Sequence, residues 1–217
     1  MTAVVPTLNA AAVLPGTLAA LGGEVAVVVA DGGSADGTPE VARAAGAAVI
    51  AAPRGRGVQI AAGIAAARSP WLLLLHADTR LAPGWAAVAA ARMRGVPERA
   101  GYFRFALDSA DPRARRLERT VAWRCRVLGL PYGDQGLLVA REVLAAAGGM
   151  RPLPLMEDVD LVRRLGRGRL AALPADAVTS AARWERDGWR RRSARNLLCL
   201  TLWSAGVPAD WVARCYR

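Results

Sequence analysis

Trp71-Leu72-Leu73-Leu74-Leu75 is an unbroken apolar run that stops at His76-Ala77-Asp78-Thr79. A short run without polar alternation predicts a strand buried on both faces, as in a parallel sheet covered by helices. Such strands deliver functional side chains at their C-terminal ends. Here that end carries the only histidine of the chain and a carboxylate two residues later. Alternate residues of an extended segment point the same way, so His76 and Asp78 are expected on one side. The plainer alternative is a strand terminus where Asp78 caps a turn and His76 is a neutral, hydrogen-bonded residue.

The preceding sequence predicts the same kind of unit three times. Thr2 to Val5 reads as a short strand broken by Pro6-Thr7-Leu8-Asn9, with a helix from about Ala11 to Leu21. Val25 to Ala30 reads as a second strand, followed by the loop Asp31-Gly32-Gly33-Ser34-Ala35-Asp36-Gly37-Thr38. Thr38 before Pro39 predicts an N-cap and a first helical residue. A third strand is expected at Ala47 to Ala51, then the loop Pro53-Arg54-Gly55-Arg56-Gly57 and a helix from Val58 to Arg68. Strands alternating with helices give an α/β class with a largely parallel sheet.

The second half is less regular. A helix is expected from Pro83 to Arg94, and an edge-like strand at Gly101 to Leu107. Pro112 to Leu128 reads as a helix with Leu117, Val121, Cys125 and Leu128 on one side and six arginines elsewhere. That arginine face is read as solvated, with a phosphate-binding or membrane-surface patch as the alternative. Leu137 to Ala140 is strand-like, and Met156-Glu157-Asp158-Val159-Asp160 opens a helix to about Leu165. Two weak strands are expected near Leu170 and Val178. A helical tail begins near residue 187, its leucines packing on the core or on a second copy. No linker or repeat divides the chain, so one domain over 1–217 is expected.

Composition narrows the function classes. The chain of 217 residues has 29 basic residues, all arginine, and a net charge of +11. Ala, Arg and Gly enrichment without lysine is the mark of a GC-rich genome, so only part of that charge is a functional signal. An anionic partner remains the implication, whether nucleotide, phospholipid or nucleic acid. Nucleic acid is disfavoured because no reading motif and no stacking platform is present. Cys125, Cys199 and Cys215 are odd in number and far apart, which predicts a reduced, cytoplasmic protein without a cysteine metal site. No apolar run approaches the roughly 18 residues needed to cross a bilayer.

The Asp31 loop follows a strand and precedes a helix, so its glycines permit close approach of a ligand and its acids accept hydrogen bonds. It has neither the glycine spacing of a dinucleotide site nor the lysine of a phosphate loop. Its alternative is a simple turn. Asp158 at a helix start has its own plain reading, since acids are favoured there by the helix dipole.

Taken in order, Pro6-Thr7-Leu8-Asn9, Asp31 to Thr38, His76-Ala77-Asp78 and Glu157-Asp158 resemble the family-two glycosyltransferases of the GT-A fold over about residues 1–165. Arg-Gly-Arg-Gly at Arg54, Leu-His-Ala-Asp-Thr at Leu75, Gly-Asp-Gln-Gly at Gly133 and Met-Glu-Asp-Val-Asp at Met156 look closest to a short bacterial subgroup associated with radical-SAM and selenium-related proteins. The resemblance implies a nucleotide-sugar donor, UDP- or GDP-linked, held around Pro6, Thr7, Asn9, Asp31, Gly32, Asp36, Arg56 and Asp78. It implies a divalent metal, Mn²⁺ or Mg²⁺, on Asp78, the second acid of the family's Asp-x-Asp motif. His76 replaces the first acid, and imidazole suits Mn²⁺ better than Mg²⁺. Asp158 matches the catalytic base of inverting members. Gly133, Asp134, Gln135 and Glu157 are placed on the acceptor side. Arg183-Trp184 and the Arg190 to Arg192 run loosely match an acceptor-side Arg-Trp motif of larger relatives. The expected activity is inverting glycosyl transfer to an unidentified hydroxyl. The alternative is a nucleotide-binding protein without transfer activity. Contact with a membrane surface and a homodimer are further expectations.

Overall fold

The computed structural model describes residues 1–216. Its centre is one eight-stranded sheet in the order β3-β2-β1-β4-β7-β6-β8-β5. The strands are β1 (Thr2–Thr7), β2 (Ala26–Asp31), β3 (Ala48–Ala51), β4 (Trp71–Leu74), β5 (Thr79–Leu81), β6 (Ala100–Leu107), β7 (Leu137–Ala140) and β8 (Leu170–Thr179). The first four form a parallel half, connected through α1 (Leu14–Leu21), α2 (Thr38–Ala44) and α3 (Arg56–Ala66). In the second half β7 runs antiparallel to β4 and β6, β6 pairs parallel with β8, and β5 pairs antiparallel with β8. This α/β sheet, mostly parallel and flanked by helices, is the architecture read from the sequence.

The apolar run of β4 serves both faces of the sheet. Leu72 and Leu74 join Val4, Ile60 and Val139 on one face, under α3 and under α7 (Glu157–Leu165). Leu73 and Leu75 join Ala3, Phe103 and Leu138 on the other, under α1 and under α4 (Trp85–Arg94). Leu72 and Leu73 are fully buried. Truncating either to Ala would cost about 2–5 kcal/mol.

β1 is longer than its sequence predicts, since it continues through Pro6 to Thr7. A proline is tolerated in this central strand because of where its missing N–H falls. The Val4 carbonyl accepts from Leu75 and the Thr7 carbonyl from Gly32, so even-numbered residues face β4. Pro6 lies beyond the last β1–β4 pair, Val4 with Leu74, so no ladder bond is lost.

Several other expectations are corrected. Gly37 is the N-cap of α2, and Thr38 is its first helical residue. The Thr38 hydroxyl is already engaged with Ala10 and Asp36. α3 begins at Arg56, so the second half of the Arg-Gly-Arg-Gly motif is helical. β6 lies inside the sheet, between β7 and β8, and its alternating pattern reflects two unlike faces. The two weak strands are one strand, β8, broken only by a bulge around Pro174. β5 carried too short a signal to be read.

α5 (Pro112–Leu128) matches its expected bounds, with Val121 and Cys125 buried and Leu128 exposed. Its arginines are not uniformly solvated, because Arg124 stacks 3.4 Å from the centre of the Tyr132 ring and donates to the Leu130 carbonyl. The chain ends in α8 (Ala182–Asp187), α9 (Trp189–Ser204) and α10 (Ala209–Tyr216). Cys199 and Val212 anchor these last helices in the core beside β4 and α7, while Leu197 and Leu198 are exposed. No helix among the described residues is long and apolar enough to cross a membrane.

Candidate active site

The C-terminal ends of β1 and β4 open onto a cleft of about 1030 Å³, counting its open mouth. Pro6 and Thr7 line it from β1, Asn9 from the connection after it, and Arg54 and Arg56 from the entry to α3. His76, Asp78 and Arg183 close its far wall. The fold therefore brings Pro6, Thr7, Asn9, Arg56, His76 and Asp78 to one cleft. His76 and Asp78 meet by a turn instead of strand alternation: β4 stops at Leu74 and the Thr79 N–H donates to the His76 carbonyl.

Asp31, Gly32 and Asp36 are not among the cleft's lining residues; they build its rim. Asp31 accepts from the Thr7 hydroxyl, the Gly33 and Ser34 N–H groups and the Ser34 hydroxyl, so both its oxygens are engaged. Burial works to raise its pKa, yet the bonds from Ser34, Thr7 and Gly33 together hold it below the ordinary value. Asp36 accepts from Ala11 and from the Thr38 N–H, tying this loop to the β1–α1 connection. Asn9 completes the tie, donating its N–H to Ser34 and accepting from the Ala35 N–H. Its backbone is left-handed, with φ of 51°. The sequence reading missed Gln59, whose amide donates to the Thr7 and Ala30 carbonyls and locks the ends of β1 and β2. A polar residue beside Ile60 on the buried face of α3 was the available signal.

A second cavity, of about 740 Å³ counting its mouth, adjoins this cleft. Arg56, His76, Asp78 and Arg183 line both spaces. Asp134 and Asp158 line only the second. Asp158 sits in the first turn of α7 but does not cap it. The N-cap is Met156, a left-handed non-glycine residue with φ of 65°. Asp158 Oδ2 accepts from the Gly133 N–H at 2.7 Å and Oδ1 from the Val159 N–H at 2.8 Å. Non-glycine residues in that backbone region concentrate at functional sites.

Glu157 is fully buried and points the other way, receiving the Arg56 guanidinium. Burial raises the Glu157 pKa and Arg56 opposes it. The next residue, Gly57, packs against the 151–153 backbone: a Cβ there would lie 2.6 Å from the Arg151 carbonyl oxygen. That close approach accounts for the second glycine of Arg-Gly-Arg-Gly. Gln135 is likewise internal. Its amide donates to the Phe103 carbonyl and accepts from the Tyr132 N–H, so it shapes the loop and does not line the cavity.

The electrostatics of the shared wall are uneven. Burial, and next Arg56, push the His76 imidazole down to about 4, with Asp78 and Asp158 pulling the other way. The ring is therefore neutral at pH 7. Burial pushes Asp134 up to about 6, with Arg124 opposing and Asp158 adding to the rise. As to a metal, no group of three or more His, Cys, Asp or Glu among the described residues forms a cage. Asp78 at the junction of the two spaces, with the neutral His76 ring beside it, fits an ion that takes most of its shell from phosphate oxygens and water. The fit is to a ligand-borne metal.

The family model of Glycosyl transferase family 2 matches residues 2–142. The chain belongs to that family. Among solved structures, glucosyl-3-phosphoglycerate synthase from Mycobacterium tuberculosis, in complex with Mn²⁺ and UDP-glucose, superposes with a TM-score of 0.66 at 18% identity. The match covers 95% of this chain and 79% of that one. The same enzyme in complex with phosphoglyceric acid gives 0.64 at 19% identity, over 95% and 80% of the two chains. Mannosyl-3-phosphoglycerate synthase from Rubrobacter xylanophilus gives 0.60 at 18% identity, over 95% and 75%. At these identities the likeness is one of fold, and it is the GT-A fold expected from the motifs. No curated protein sequence matches the chain.

Proposed function

We propose that this chain is an inverting glycosyltransferase that moves a sugar from a nucleoside-diphosphate sugar, UDP- or GDP-linked, to an acceptor hydroxyl. The observation that carries the reading is the shared wall. The β1-side cleft has room for a nucleotide, Asp158 lines the adjoining space, and Arg56, His76, Asp78 and Arg183 line both. A sugar at that wall would have its leaving group on one side and a carboxylate on the other. Family membership and the complexes of the fold relatives with Mn²⁺ and UDP-glucose support the same donor class.

In this mechanism the acceptor oxygen attacks the anomeric carbon as the bond to the diphosphate oxygen breaks. The hydroxyl proton passes to Asp158, and the electron pair of the broken bond leaves with the diphosphate. Arg56 and Arg183 face the charge that grows there. A divalent ion, held by Asp78 with His76 beside it, would supply further charge neutralisation at the diphosphate. The Gly133 and Val159 N–H groups fix the Asp158 carboxylate before the acceptor arrives, which limits reorganisation during the step. Asp134 faces the same space and is assigned to the acceptor side.

The test is incubation with UDP- and GDP-sugars, Mn²⁺ and a panel of hydroxyl acceptors, with product detected by mass spectrometry and its anomeric configuration by NMR. Transfer with inversion is expected. Nucleotide binding with neither transfer nor donor hydrolysis would favour the second reading, a nucleotide-binding protein. That reading is motivated by His76 in place of the first acid of Asp-x-Asp.

A further inference from the structure

Four buried polar atoms around the Asp158 cavity have no hydrogen-bond partner among the described residues: Asp134 Oδ1, Trp184 Nε1, Arg192 Nε and Asn196 Oδ1. Buried polar groups are partnered in the great majority of cases, because an orphan loses its water without a replacement bond. Four on one cavity mark a place built for a polar ligand. Three of them belong to α8 and α9, beyond the residues matched by the family model.

Their chemistry is divided. Trp184 and Arg192 offer N–H donors. Arg192 is only 5% exposed and its guanidinium is held from two sides. Nη1 reaches Asp187 at 3.4 Å, Nη2 donates to the Tyr216 hydroxyl, and the Tyr216 ring lies 4.4 Å from the guanidinium carbon. That clamp fixes where Nε–H points, and the long Asp187 contact leaves much of the positive charge uncompensated. Arg183 adds a second cation on the same cavity. The acids on the cavity, Asp134 and Asp158, come from other elements, the Gly133 turn and the start of α7.

We propose that the α8–α9 end of this cavity binds an oxyanion, a phosphate or a carboxylate, carried by the acceptor. The inference rests on the transferase reading and names its acceptor class: a small hydroxyl compound bearing a negative group. Trp184 Nε1 and Arg192 Nε hold the oxyanion, and Asn196 Oδ1 accepts from a hydroxyl of the same molecule. The reacting hydroxyl then lies toward Asp158.

Isothermal titration of the whole chain, saturated with UDP and Mn²⁺, tests the site with glycerol 3-phosphate, D-glycerate and glycerol. The bound nucleotide occupies the other place where a phosphate would sit. One or both anions should bind and glycerol should not; which anion binds more tightly distinguishes phosphate from carboxylate. Trp184→Phe keeps the ring and removes only the N–H, and should weaken anion binding about fivefold to tenfold. Arg192→Met should weaken it more than about tenfold, with UDP affinity unchanged in both variants. If Arg192→Met does not fold, the Trp184→Phe result decides. Equal binding of glycerol and the anions, no anion binding at millimolar concentration, or binding indifferent to both variants would overturn the proposal. Absence of UDP binding to the unmodified protein would instead count against the donor reading. Inorganic phosphate titrated into the nucleotide-free protein and its Trp184→Phe variant would then still test the oxyanion site.

Discussion

Asp158 Oδ2 accepts the Gly133 N–H at 2.7 Å, which joins the start of α7 to the turn before β7 and sets the carboxylate against the cavity. Gly133 has no room for a side chain. A Cβ there would lie 2.4 Å from His76 Nε2 and 3.2 Å from Asp158 Oδ2. Gly133→Ala should therefore displace the His76 ring and the carboxylate together. Turnover should fall by about a hundredfold, the cost of misplacing reacting groups by roughly 1 Å. The thermal midpoint should move by only a few degrees, and steady-state kinetics beside a melting curve would check both.

Arg56 and Glu157 form a second tie to α7, with Glu157 fully buried and the Arg56 side chain 31% exposed. Removing the cation leaves a buried carboxylate unpaired. Arg56→Met should cost about 3 kcal/mol in urea unfolding, toward the low end for such pairs because Arg56 is partly solvated. Glu157→Gln should cost less, since it removes the buried charge and keeps an acceptor for the guanidinium.

Most of the parallel half was legible in the sequence because each of its strands is a short apolar run closed by a polar loop. The β4 run fixed both its own burial and the place of the site. The length of β1 was not legible, since Pro6 is permitted only by where β4 ends. The joining of the Leu170 and Val178 segments was hidden by the bulge at Pro174. Among site residues, Arg56, His76, Asp78 and Asp158 were visible as motif positions. The inward role of Glu157 and Gln135 was not, because local spacing does not say which neighbour of a charged pair turns to the core. Arg192 belongs to a run that matched a motif only loosely, Asn196 and Tyr216 carry no motif, and all three reach the cavity only through the packing of α9 and α10.

Asp134 gives a pH prediction. Its folded pKa, about 6, lies above the ordinary 3.8, so the folded chain binds the proton more tightly than the unfolded chain does. Its contribution to stability is full below about pH 4 and is lost as pH rises through 6. Asp134→Asn, which stays neutral, should raise the thermal midpoint by a few degrees at pH 7 and leave it nearly unchanged at pH 4. Melting curves across this range would show a flatter pH dependence for the variant.

Asp78 should carry the metal dependence of nucleotide binding. Asp78→Ala should abolish the gain in UDP affinity that Mn²⁺ gives, while metal-free affinity changes little. Titrations with and without Mn²⁺ would read this, and an undiminished Mn²⁺ effect would remove Asp78 from the metal site. His76→Asp should move the ion preference toward Mg²⁺, since oxygen ligands suit the harder ion.

In the proposed mechanism Asp158 takes the acceptor's proton. The measurement is single-turnover transfer by Asp158→Asn, with donor affinity and the melting curve recorded on the same preparation. Asn keeps the shape of the side chain and, through its amide oxygen, an acceptor for the Gly133 N–H. Donor affinity and fold should be unchanged, and the rate about 10²- to 10⁴-fold lower. A folded Asp158→Asn protein that transfers at nearly the normal rate would contradict that role.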